Sequence, residues 1–205
     1  MPPLSQARRA ERSVPDVVRA MRSLERSYLL GVEGVTEIWL VRHADVYDAL
    51  VDVEDPPLSP RGREQARRLA ERIRRVEVAA IYAGPARRAQ ETARVLGDAV
   101  RTDPRLAEAA ATFTAGRLRI EEGAQAVIER MRDAVDDAAA AHPGGRVVMV
   151  SHGIAILDCL ADVLQLEPRT LRLYPPFTGV SIVRIKDRRR AAGTLFDVAH
   201  LETMG

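Results

Sequence analysis

Cysteine is all but missing from this 205-residue chain: Cys159 stands alone, so no internal disulfide can form. A single thiol among Leu157, Leu160 and Val163 reads as a core residue and fits a reducing compartment, so the expected localisation is cytoplasmic. Long apolar runs are missing too. None approaches the roughly 18 residues of a membrane span, and the first residues lack the apolar stretch of a signal peptide, so no membrane partner is expected. Aromatic residues are only 4% of the chain, too few for a base-stacking platform. Lysine is scarcer still, since Lys186 is the only one among 31 basic residues. The arginines that make up the rest are spread along the chain and leave a net charge of only +2. That even spread is a compositional bias, not an electrostatic footprint, and no nucleic-acid partner is expected.

What the chain does have is 46% apolar content, enough for the continuous core of one domain. Ser13-Val14-Pro15-Asp16 signals a helix start, and Val14, Val17, Met21, Leu24 and Tyr28 follow at alternating spacings of three and four. Residues 1–34 are therefore expected to form a helical leader with one apolar face, joined at 35 to a domain ending at 205. That face is expected to link two copies of the chain or to cover an apolar surface of its own domain.

Beyond the leader, β-branched and aromatic runs predict strands ending at Val41, over 78–82 and into Ser151, with a late pair over 180–186 and 194–200. Helices are predicted over 59–75, 85–97, 121–141 and 154–164, the first opened by Ser59 as cap with Pro60 behind it. Alternating strands and helices give an α/β class: a three-layer α/β/α sandwich with a mostly parallel central sheet and an antiparallel final pair.

Two predicted strands deliver a histidine at their carboxyl ends, Arg42-His43 after Leu40-Val41 and His152-Gly153 after Val150-Ser151. Ligands of open α/β sheets collect at those ends. A neutral imidazole is a competent nucleophile, and a neighbouring guanidinium presents planar donors to phosphate oxygens, so Arg42-His43 suits attack on a phosphoryl group. Such a transfer also needs a second arginine, a second imidazole and a proton donor. The helix after Pro85-Ala86-Arg87-Arg88 can supply the arginine, and His152 the imidazole.

Five motifs in order, Leu40-Val41-Arg42-His43, Leu58-Ser59-Pro60-Arg61-Gly62-Arg63-Glu64-Gln65-Ala66, Arg88-Ala89-Gln90-Glu91-Thr92-Ala93, Arg105-Leu106-Ala107-Glu108 and Val150-Ser151-His152-Gly153, resemble the histidine phosphatase superfamily, the phosphoglycerate mutase-like proteins. The resemblance spans residues 36–201. It implies the phosphoglycerate mutase-like fold, a phosphorylated His43, phosphate held by Arg42, Arg88 and His152, and Glu108 as proton donor. It implies no metal and no cofactor, and as partner a phosphorylated small molecule or a phosphoprotein. Where the larger family writes Arg-His-Gly followed by a threonine and an asparagine, this chain has Ala44, Val46 and Ala49, which resembles the small Arg-His-Ala phosphatases more than the glycolytic mutases. The Gly-x-Trp-Glu-Gly run often found after the acid is also absent from residues 109–116.

Other readings compete for the same residues. Residues 109–120 are too short a connection for the long lid with which a mutase-type phosphotransferase protects its phosphoenzyme, so hydrolysis is expected. A non-catalytic phospholigand-binding member of the fold is the reading motivated by Val46 and Ala49. A metal held by His43, Asp45 and His152 is a third, set against the arginines around them. Arg87 reads as a solvated helix residue, His142 as the end of a helix, and His200 as a structural residue of the last strand. The substrate lip is expected over 48–55 and 109–119.

Overall fold

The computed structural model describes residues 14–47, 55–114 and 116–202. Ala49 and residues 48–54 of the expected lip lie outside them. In chain order the elements are α1 (Val14–Ser27), β1 (Thr36–Arg42), α2 (Pro60–Ile73), β2 (Ala80–Ala83), α3 (Arg87–Leu96), β3 (Val100–Thr102), β4 (Ala111–Thr114), β5 (Arg117–Ile120), α4 (Ala124–Ala141), β6 (Arg146–Ser151), α5 (Gly153–Val163), β7 (Val180–Lys186) and β8 (Arg189–Ala192). Short 3-10 turns cover Pro104–Leu106 and Ala199–Leu201.

The main sheet has the order β3-β2-β6-β1-β7-β8. The first four of these strands run parallel, and β7 and β8 complete an antiparallel edge. Alternation along β1 sends Ile38 and Leu40 to one face and Trp39 and Val41 to the other. On the first face they meet Met131 and Val135 of α4 and Ile156 and Leu160 of α5. On the second they meet Leu69 and Ile73 of α2 and Ala93 and Leu96 of α3. Central strands buried on both faces explain why they read as unbroken apolar runs. The three layers and the mostly parallel sheet are as the sequence predicts.

Three local expectations are corrected. The last strand is β8 over Arg189–Ala192, because Val180–Lys186 turns back at Asp187 and Arg188, both at positive φ. Residues 194–200 form no strand but meet β7 through a bridge from Asp197 to Val180, a bond from the Ile182 N–H to the Thr194 carbonyl and one from the Phe196 N–H to the Ser181 hydroxyl, and His200 sits in a 3-10 turn. The segment after Glu108 carries the β4–β5 hairpin, and α4 starts three residues after Glu121, at Ala124. Cys159 is buried on the inner face of α5, as expected, and burial pushes its thiol up to about 12.

Candidate active site

Parallel pairing of β1 with β6 sets Arg42 opposite Ser151, so the two strands release His43 and His152 side by side. A backbone bond from the His43 N–H to the Ser151 carbonyl, 2.9 Å, continues the ladder one residue past β1. The two rings lie 5.1 Å apart between centroids, tilted by 57°. Both are buried: His43 is 5% exposed and His152 not at all.

Hydrogen bonding fixes which nitrogen of His43 is free. Its Nδ1 lies 2.8 Å from the Ala44 carbonyl oxygen, and a carbonyl only accepts, so Nδ1 carries the proton and Nε2 keeps the lone pair. Burial pushes the His43 pKa down to about 3, with the Ala44 bond opposing and the charges of Arg88 and Arg42 reinforcing. His152 is held at about 2, by burial first and then by the charges of His43, Arg88 and Arg42. Two neutral imidazoles thus face each other beneath two guanidinium groups. Among the described residues neither ring nitrogen of His152 has a hydrogen-bond partner.

Arg42 ends β1 with its guanidinium 4.0 Å over the Phe177 ring and 5.7 Å from that of Tyr174, and Nη1 donates to the Pro175 carbonyl at 2.5 Å. Arg88 is the second residue of α3 and its Nη1 pairs with Asp55 at 3.2 Å. Arg87 is exposed and pairs with Glu91, the solvated role expected of it. Glu108 follows the Pro104–Leu106 turn and sets its carboxyl on the N-terminus of α5. Its Oε1 accepts from the N–H groups of Ala109 at 2.9 Å and Ala155 at 3.1 Å, while Oε2 has only a 3.5 Å contact with the Ile154 N–H. All five site residues therefore gather around the carboxyl ends of β1 and β6. Asp45, the third member of the metal reading, instead takes the Ser59 hydroxyl at 2.6 Å. Among the described residues no three His, Cys, Asp or Glu side chains are placed to hold a metal ion.

The long second motif holds the loop after His43. Ser59 caps α2 by accepting from the Gly62 N–H at 2.9 Å, and its own N–H donates to the Asp45 carbonyl at 3.0 Å. Gln65 Oε1 takes the Asp45 N–H at 2.9 Å, and Thr92 Oγ1 takes that of Ala44 at 3.0 Å. Gly62 is required here, since a Cβ would stand 2.0 Å from the Asp45 carbonyl oxygen.

Sequence reasoning missed Phe177 and Thr178, which lie in a proline-rich loop without a periodic signal. Phe177 covers both Arg42 and His43, its ring centroid 5.6 Å from that of His43. Thr178 sits at φ 56, a strained position for a β-branched residue, and its N–H donates to the Arg42 carbonyl at 3.0 Å. Its Oγ1 lies 3.0 Å from His200 Nε2, which gives His200 the structural role expected of it, though on a turn and not a strand. His142 ends α4 as expected, and its Nε2 also reaches the Tyr82 hydroxyl at 3.2 Å.

Known proteins share this fold. The chain is 31% identical over 173 residues to a probable phosphoglycerate mutase GpmB of Enterobacter sp. (strain 638), covering 67% of this chain and 80% of that protein. Among solved structures, Bacillus stearothermophilus YhfR superposes with TM-score 0.70 at 24% identity, over 82% of this chain and all of that one. An Entamoeba histolytica phosphoserine phosphatase does so with TM-score 0.70 at 20% identity, over 81% and 99%. A Bacillus anthracis phosphoglycerate mutase gives TM-score 0.66 at 14% identity, over 86% and 97%, which makes the fold phosphoglycerate mutase-like. The family model described as the histidine phosphatase superfamily (branch 1) matches residues 38–125 and 112–198, and the chain belongs to that superfamily.

Proposed function

We propose that the protein is a metal-independent phosphatase that hydrolyses phosphate monoesters, of small molecules or of phosphoproteins, through a phosphohistidine on His43. The observation that carries this reading is the 2.8 Å bond from His43 Nδ1 to the Ala44 carbonyl, which aims an unprotonated Nε2 away from the sheet beside His152 and two arginines. The lone pair of Nε2 attacks phosphorus, an N–P bond forms, and the bond to the leaving oxygen breaks. Arg42, Arg88 and an N–H of His152 take the charge of the phosphoryl oxygens. Glu108 gives its proton to the leaving oxygen. Both short bonds to Glu108 fall on Oε1, and Oε2 has only the 3.5 Å contact with the Ile154 N–H. Water then attacks the phosphoimidazole, the carboxylate takes its proton, and the N–P bond breaks to release inorganic phosphate.

The hairpin beyond Glu108 favours hydrolysis over transfer. The two strands, β4 and β5, have four residues each, with Leu118 60% exposed, and are too small to close over a phosphoenzyme. The name of the GpmB relatives favours a mutase as the second reading. Brief reaction with a labelled phosphate ester tests both. Label on His43 that survives alkali, is lost in acid and leaves as inorganic phosphate is expected, with turnover unchanged by chelator. Label retained in His43→Ala would end the mechanism, and label passed to a second phosphoacceptor in place of water would favour the mutase.

We further propose that residues 1–34 form a helical leader whose seam joins two copies of the chain. The end of the leader touches its own domain, with Leu29 buried and Arg189 donating to the Ser27 carbonyl at 2.9 Å, but the seam does not: Val17, Met21 and Leu24 of α1 and Tyr28 just beyond it stand exposed. Their alternating spacing of three and four is the seam of a helix that pairs with a second helix, and a second copy supplies an identical one. No described helix is long and apolar enough to cross a membrane.

A further inference from the structure

Glu108 lies on an irregular stretch between a one-turn 3-10 helix and a small exposed hairpin, a poor platform for a group that must meet a leaving oxygen to within a fraction of an ångström. Two side chains from the other side of the hairpin compensate. The Nη1 of Arg130, on α4, donates to the carbonyls of Arg105 at 2.6 Å and Ala107 at 2.8 Å, the second being the residue before Glu108. The same guanidinium grips Glu122 with two bonds, Nε to Oε1 at 2.9 Å and Nη2 to Oε2 at 3.1 Å. Glu122 in turn accepts the Ala110 N–H at 3.1 Å, two residues beyond Glu108, and its own N–H returns to the Ala110 carbonyl at 3.1 Å. Both side chains are mostly buried, at 19% and 23% exposure, so the bonds of Arg130 are partly shielded from water and salt, while the Glu122–Ala110 bond lies at the surface.

We propose that Arg130 and Glu122 are positioning residues for the proton donor. Together they clamp the backbone on both sides of Glu108 and so hold its carboxyl at the N-terminus of α5, without touching the reacting atoms. This inference rests on Glu108 being the acid. The Ser151 hydroxyl, bonded to the Leu106 carbonyl at 2.8 Å, anchors the middle of the same stretch to the strand that delivers His152. The clamp thus ties acid and imidazole into one frame. Only a planar guanidinium bridges a carboxylate and two carbonyls at once; an ammonium keeps the charge but cannot keep that geometry.

The test compares alkyl phosphates, whose leaving oxygen needs a proton, with aryl phosphates, whose leaving oxygen needs little help. Arg130→Lys keeps the positive charge that His152 also feels. It is expected to lower kcat/KM, which ends at departure of the leaving group and so leaves out the later attack of water, by roughly 10- to 100-fold for alkyl phosphates and much less for aryl phosphates. Glu122→Gln, which loses the acceptor for the Ala110 N–H but disturbs less of the interior, is expected to act in the same direction. The double variant Glu108→Gln/Arg130→Lys should be no more selective than Glu108→Gln alone. Equal losses on both substrate classes, or no loss, in a folded Arg130→Lys and Glu122→Gln pair would overturn the inference. If Glu108→Gln is itself unselective, it is the proton-donor reading that has failed.

Discussion

His43 and His152 stand ring to ring, 5.1 Å between centroids, and burial holds both neutral at any pH near 7. The unfolded chain takes up protons on these imidazoles near the ordinary value of 6.5, while the fold refuses them until about 3 and about 2. The contribution to stability is therefore fully present above pH 6.5 and is lost as the pH falls through the window down to about 3. Thermal unfolding followed between pH 7 and 4 should show a falling Tm, and His152→Gln should flatten that slope. A slope identical in the variant would contradict the burial argument. By the same logic kcat/KM, corrected for the substrate's own titration, should show no loss from a free-enzyme group with pKa near 6.5.

If Glu108 protonates the leaving oxygen, Glu108→Gln should lower kcat/KM, which ends when the leaving group departs, by roughly 10²–10⁴-fold for alkyl phosphates and much less for aryl phosphates. The amide keeps an oxygen for the N–H groups of Ala109 and Ala155, so the fold at the start of α5 should survive. Circular dichroism beside the two rates checks this. Equal losses would move the search to Asp45, two residues past His43.

Gly62→Ala should damage the site without touching a catalytic group. Its Cβ would sit 2.0 Å from the Asp45 carbonyl oxygen, so α2 and the loop after His43 must move apart. Overpacking of this kind costs about 1–3 kcal/mol, read from denaturant unfolding. The stronger expectation is a fall in kcat through the bonds that Ser59 and Gln65 make to Asp45. Wild-type kcat in a destabilised variant would show that the loop tolerates the shift.

Removing residues 1–34 should convert a dimer to a monomer by light scattering and leave phosphatase activity in place, because the exposed seam residues of α1 make no described contact with His43, His152 or their neighbours. Met21→Glu and Leu24→Glu in the intact chain should do the same, placing charges in the seam at positions 58% and 60% exposed in the single chain. A monomeric wild type, or a dimer unaffected by both changes, would dismiss the role given to the leader.

The sequence by itself determined the layered class, the order of the helices and the two strand ends that carry Arg42-His43 and His152. Those signals are local: an unbroken apolar run for a strand buried on both faces, Ser59-Pro60 for a helix start, the seam spacing of α1. It misplaced what depends on partners far along the chain. The β4–β5 strands do alternate apolar and polar residues, Ala111-Thr112-Phe113-Thr114 and Arg117-Leu118-Arg119-Ile120, but each run is only four residues long, at the lower limit of a period-two signal. His200 follows the apolar Phe196 and Val198, yet tertiary contact turns that segment into an edge bridge and a 3-10 turn. Tertiary structure alone decided that β6 pairs beside β1, which brings together histidines more than a hundred residues apart in sequence. It also decided which nitrogen of His43 is free, that Phe177 covers it, and that Arg130 braces the segment bearing Glu108. The physical reason is the range of each interaction: periodicity and capping act within a few residues, whereas burial, desolvation and a guanidinium bridging two carbonyls exist only once the layers have closed.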